Sequence, residues 1–276
     1  MIEQLILVIA FVYLLITSIL DVKYRLVWDY INYSFGFLFL IIRVLEQIIM
    51  PDYSAVLSVL SVSFLTLITG LFLYKTGAWG GGDLKLLTAL SVGLSSLPSD
   101  KLVIISLTFP FYANFLINTL ISGIIFGLLW SFIGIVRTKT YKSFGKFYWG
   151  IIILAILLVI ISFFAAMKER ILFLLIAVFC SYYVVKKFED KITIIDKKVK
   201  KLDEGDWIIK EFRIKGKLIT KKPTGLSKAD IKLLQSSSLK MIKIKDGIPF
   251  LVSFFLAFLL TIVLKSNFIT LIVTNM

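Results

Sequence analysis

Apolar stretches close to bilayer-spanning length recur along this chain and limit what it can fold into. A span needs about 20 mostly apolar residues. Inside a bilayer each segment must satisfy its own backbone polar groups, which favours helices. Eight such helices are expected, over residues 2–20, 30–49, 55–74, 84–97, 109–136, 147–166, 171–185 and 248–264. The fourth is short, with 102–108 as a candidate extension, and the seventh is also short. Of the 276 residues, 59% are hydrophobic, and the mean hydropathy is +0.95, far above an ordinary soluble domain. The expected fold class is an all-α polytopic membrane protein. Glu3 precedes the first stretch and no basic segment does, so it reads as a retained helix and not a cleaved signal peptide.

Charge orients these helices. Of the 31 Lys and Arg, 25 fall on alternate connections: Lys23 and Arg25, then Lys75, then the 137–146 segment, then eighteen between Lys186 and Lys245. The positive-inside rule makes that side cytoplasmic and the N-terminus external. The net charge of +14 is thereby read as an orientation signal and an attraction to membrane lipids with anionic headgroups, with no nucleic acid as partner. The expected organisation is a transmembrane helical domain over 1–185, a small cytoplasmic α+β domain over 186–247, and a C-terminal transmembrane helix over 248–276. Within the polar segment, 207–219 predicts a β-hairpin turning at Gly216, and Ser227 to Asp230 resembles a capped helix start.

Histidine is absent and Cys180 is the one cysteine. Ser-His-Asp, Cys-His and zinc-peptidase chemistry all lack their base or ligands, so no metal site and no cofactor is expected. Among the seventeen acids, three lie at the cytoplasmic ends of expected spans: Asp21, Asp29 and Asp83. A carboxylate at a membrane is costly unless it is hydrated, paired or buried in protein. Asp21 closes the first helix and Asp83 opens the fourth, at the same expected depth. If the two meet, they tend to share one proton. The ionised member then takes a proton from water while the other polarises a peptide carbonyl.

Gly80 and Gly82, in Gly80-Gly81-Gly82-Asp83, fit such a site by allowing a sharp turn and a close substrate backbone. Plainer readings stand beside this one. Asp83 is also a candidate N-cap of the fourth helix, and Asp21 a boundary carboxylate pairing with Lys23 or Arg25. Asp29 is expected to cap the second helix. Lys85 either offsets local negative charge or reaches towards the headgroups.

The run from Gly80 through Asp83 and Lys85 to Leu90 resembles the Gly-x-Gly-Asp-x-Lys motif of the type 4 prepilin peptidases. Asp21 to Arg25, followed by Asp29-Tyr30-Ile31, is similar to that family's first aspartate loop. Phe109-Pro110, Asn118 and 247–250 look like the archaeal preflagellin and prepilin peptidases. The resemblance implies a membrane aspartic endopeptidase with Asp21 and Asp83 catalytic, supported by Gly80, Gly82 and Lys85, and with Asp29 as a possible substrate contact. It implies a six-helix core plus extra spans. Its substrates would be archaeal pilin-like or flagellin-like precursors, cut between a short basic leader and an N-terminal hydrophobic helix. Bacterial relatives with N-methylating activity commonly carry a cysteine-rich zinc segment, so no methyltransferase activity is expected here. Presenilin-type peptidases share Gly-x-Gly-Asp, but their first aspartate usually follows Tyr within a span, whereas Leu20 precedes Asp21 at a span end. A different class also fits the acids: a non-enzymatic polytopic protein, either a small transporter or a filament-assembly factor. A transporter would show interrupted helices and an internal repeat, and the sequence has neither.

Overall fold

The structure is a computed structural model that describes residues 2–77, 79–97, 110–165 and 167–264. Its long helices are α1 (Ile2–Tyr24), α2 (Asp29–Ile49), α3 (Tyr53–Lys75), α4 (Gly81–Leu94), α5 (Phe111–Arg137), α6 (Lys146–Phe164), α7 (Met167–Thr193) and α9 (Leu251–Leu264), with the short α8 (Lys228–Gln235) before α9. Each expected apolar stretch is occupied by a helix. Among the described residues, α1, α2, α3, α5, α6 and α7 are long and apolar enough to cross a membrane. Helices α4 and α9, 14 residues each, are shorter. The candidate extension over 102–108 lies outside the described residues.

Helix α4 lies at the centre of the first bundle, in contact with α1, α2, α3 and α5. Its leucines Leu84, Leu86, Leu87, Leu90 and Leu94 point to more than one side of the helix, and all are buried. A helix with apolar residues on several sides belongs inside, and the Thr88 and Ser91 hydroxyls bond back to carbonyls of their own helix at 2.8 and 2.7 Å. Its neighbours approach through small residues, as interhelical contacts in membranes do. A Cβ on Gly93 would come within 2.6 Å of the Phe39 ring on α2, and one on Gly36 would touch Ala89 at 3.4 Å. Hydrogen bonds between helices complete the packing. Tyr13 of α1 donates to Asn32 of α2 at 2.7 Å, and Ser122 of α5 donates to the Ser253 carbonyl of α9 at 2.9 Å. Helices α6 and α7 form a hairpin that leans on α5 through α7.

Asp52 caps α3, accepting from the Ser54 and Ala55 amides at 2.9 and 3.3 Å. Helix α7 continues eight residues past the expected end of its span. It leads into a polar unit with strands β1 (Ile194–Lys198), β2 (Trp207–Ile208), β3 (Phe212–Ile214), β4 (Lys217–Ile219) and β5 (Met241–Lys245). β5 runs antiparallel between β1 and β2, while β3 and β4 make a separate hairpin. That hairpin turns at Lys215 and Gly216, both at positive φ, as a two-residue hairpin loop requires. The expected hairpin is thus shorter than its sequence pattern: Trp207 pairs with Lys245 on β5 instead. Ser227 caps α8 in a reciprocal box with Asp230. Val199, Ile214, Ile219, Leu226, Leu234 and Ile244 belong to this unit's own apolar core.

Candidate active site

Asp83 is the third residue of α4, and Gly80 is its N-cap. This corrects the reading of Asp83 as the cap. The first amides of a helix have no intrahelical partner, and Asp83 turns its carboxylate back to accept from the Gly80 amide at 2.8 Å. Glycine has no side chain to return the bond. The glycines before Asp83 do not make the sharp turn themselves: Gly80 has φ −78°, and the left-handed residue in this loop is Gly77, at φ +74°. A Cβ on Gly77 would meet the Pro223 carbonyl at 2.9 Å, so the polar unit sits directly against the loop that leads to Asp83. Among the described residues, apart from its chain neighbours and the backbone of its own helix, nothing lies within 4 Å of where a Cβ on Gly82 would be.

Asp21 is one turn before the end of α1. Its carboxylate accepts from the Leu251 amide at 3.0 Å, at the first residue of α9. Ser18, one turn earlier, donates to the Leu251 carbonyl at 3.1 Å. Arg25 ends α1 at φ +56°. Asp21 therefore takes its hydrogen bond from α9 and makes no ion pair with Lys23 or Arg25 among the described residues. The Arg25 guanidinium instead approaches Asp246 at 3.8 Å and covers the Trp130 ring at 4.9 Å. Asp246 in turn donates its amide to Thr193, the last residue of α7, at 2.8 Å. The connection from β5 to α9 is thus pinned to α1 and α7 on either side of Asp21.

Helices α1 and α4 are in contact, and both carboxylates are half-buried. Asp21 and Asp83 thus stand on helices that touch each other. Asp29 is placed differently from its expected role. The N-cap of α2 is Trp28, and Asp29, the first helical residue, pairs with Lys85 at 2.5 Å. Its carboxylate remains 60% exposed, so the pair stands on the rim of the site. Sequence reasoning missed Leu251, because its contribution is a backbone amide. The preceding run 247–250 was the available signal.

A helical, multi-pass membrane protein with one carboxylate at the end of each of two packed helices is the class this fold and site define. Residues 8–138 match the type IV leader peptidase family. The matched segment is just under half of the chain and contains both aspartates. No curated protein matches the chain. Helices α6, α7 and α9 and the polar unit lie beyond the matched residues, yet α9 supplies the amide that holds Asp21.

Proposed function

We propose that this chain is a membrane-embedded aspartic endopeptidase that removes the short basic leader of archaeal type IV pilin-like or preflagellin precursors. The observation that supports this reading is the placement of Asp21 and Asp83 on the contacting helices α1 and α4, each carboxylate held by one backbone amide. One carboxylate accepts a proton from a water between them as its oxygen adds to the scissile carbonyl. The other, protonated, donates to that carbonyl oxygen as it becomes an oxyanion. The proton taken from water then goes to the departing amine, and the first carboxylate is free again. Preorganisation matters most in such a mechanism, and fixed amides at both acids supply it. The open space over Gly82 leaves room for a substrate backbone.

The proposed arrangement puts both acids at the cytoplasmic boundary of the cell membrane, with the N-terminus outside. A precursor's hydrophobic helix then enters the bilayer beside α1 and α4, and its basic leader stays at the surface. Asp29 suits that leader, since a substrate Lys or Arg would compete with Lys85 for its exposed carboxylate. No methyl transfer is proposed.

Membranes containing the chain should cut a pilin-like precursor once, immediately before its hydrophobic helix, and mass spectrometry of the products locates the bond. Intact precursors across a panel of pilin-like and flagellin-like substrates, or a cut within the hydrophobic helix, would contradict the proposal.

A further inference from the structure

Just beyond α5 the chain makes a tight turn with Lys139 at φ +56°. That turn, the last turn of α7 and Lys243 of β5 border an open surface depression of about 680 Å³. Four lysines line it, Lys139, Lys142, Lys191 and Lys243, against one acid, Asp190. Elsewhere in the same region lysines reach carboxylates: Lys186 pairs with Glu189 at 2.7 Å, Lys197 with Asp203 at 2.8 Å, Lys222 with Asp230 at 2.7 Å and Lys245 with Glu189 at 2.5 Å. Among the described residues, none of the four lysines of the depression has such a partner. Lys191 donates only to the Ser143 hydroxyl, at 3.1 Å. Positive charge is gathered here and left without a counter-ion from the described protein.

Depth identifies the ligand. Helices α5 and α7 both have membrane-spanning length and apolarity and end at Arg137 and Thr193. The depression is lined by residues just past α5 and by the polar last turn of α7 and its continuation into β1, beyond the apolar part of α7. That is the level of lipid phosphates, and basic pockets between helices at this level suit acidic headgroups.

We propose that this depression binds a phosphate group, supplied by the headgroup of an anionic phospholipid, and so anchors the α5–α7 end and the polar unit to the membrane surface. The proposal does not depend on the peptidase reading. Full-length protein in detergent would be titrated with phosphatidylglycerol, with phosphatidylcholine and with inorganic phosphate, and bound species counted by native mass spectrometry. The wild type should retain phosphatidylglycerol over phosphatidylcholine. Each of Lys139→Ala, Lys142→Ala, Lys191→Ala and Lys243→Ala should weaken that binding about five-fold, the effect of one basic residue near an anionic surface. All four are exposed, so the combined variant should keep its thermal transition. Replacing Lys200, Lys210, Lys217 and Lys221, exposed and outside the depression, makes the same change in net charge and should leave binding intact. Equal binding of inorganic phosphate, lost in the same variants, would support the site while assigning it to a free anion. Unchanged lipid and phosphate binding in the combined variant, or an equal loss in the control, would overturn the proposal.

Discussion

Asp83 and Asp230 occupy the same local position, three residues after the N-cap, and each turns its carboxylate back to the cap amide. What differs is the company each carboxylate keeps. Among the described residues Asp83 makes no ion pair, whereas Asp230 accepts from Lys222 and the Ser227 hydroxyl, both at 2.7 Å. Burial pushes the Asp230 carboxyl up, but Lys222 and Ser227 outweigh it and hold it below its ordinary value of 3.8. A carboxyl depressed in the folded state stabilises fully above its unfolded value, and that contribution is lost as pH falls through the folded one. Amide exchange across 227–235 in the full-length protein should therefore quicken as pH drops below the ordinary carboxylate range. Asp230→Asn should exchange faster near neutrality and lose most of this pH dependence; an unchanged profile would contradict the assignment. Both aspartates of the candidate site were legible in the sequence, because a carboxylate at a span boundary has few cheap explanations. Their hydrogen-bond donors were not. The Leu251 amide lies 230 residues from Asp21, and a backbone group leaves no mark in residue type. The Asp29 pairing was hidden for a similar reason, since a cap and a cross-helix ion pair call for the same residue.

At the level of elements, α4 is short for a span and is held at both ends by other helices. Its last carbonyls have no intrahelical partner. Arg43 of α2 supplies one, donating from Nε to the Val92 carbonyl at 3.4 Å and from Nη2 to the Gly93 carbonyl, while Nη1 pairs with Glu46. Arg43→Met, similar in size, removes every one of these bonds and leaves Glu46 unpaired. It should destabilise the protein by about 3 kcal/mol, as breaking a buried ion pair does, seen as a lower thermal transition in detergent. An unchanged transition would show that Arg43 does not hold α4. Helix α9 makes the matching contribution at the other acid. Leu251 opens that helix, where proline is tolerated, so Leu251→Pro deletes the amide without a helical obstacle. Losing a hydrogen bond to a charged group, worth about 1.5–3 kcal/mol, should lower kcat/KM ten-fold or more. Leu251→Ala keeps the amide and separates this effect from lost packing; equal activities in the two variants would contradict the role given to the amide. The apolar segments and the Ser227 cap were readable from the chain because each depends on local pattern. The partner of Trp207 and the extension of α7 depend on tertiary contacts and were not.

On the scale of the whole molecule, a helical bundle and a polar unit meet at the candidate site. The polar unit touches the glycine loop through Pro223 at Gly77, and its exit from β5 leads to the amide that holds Asp21. The family match ends at residue 138, so the later half of the chain completes a site whose acids come from the earlier half. Charge patterning made this organisation visible as alternation of basic connections, but it carried no information on which helix would contact Asp21. The central claim is that Asp21 and Asp83 act as one unit on one water. Asp21→Asn, Asp83→Asn and the double variant, each compared with wild type for cleavage of a pilin-like precursor in membranes at equal protein levels, test it most directly. Groups that act together are strongly non-additive. Each single variant should lose nearly all cleavage, and the double variant should lose no more. Substantial cleavage by either single variant would contradict the claim.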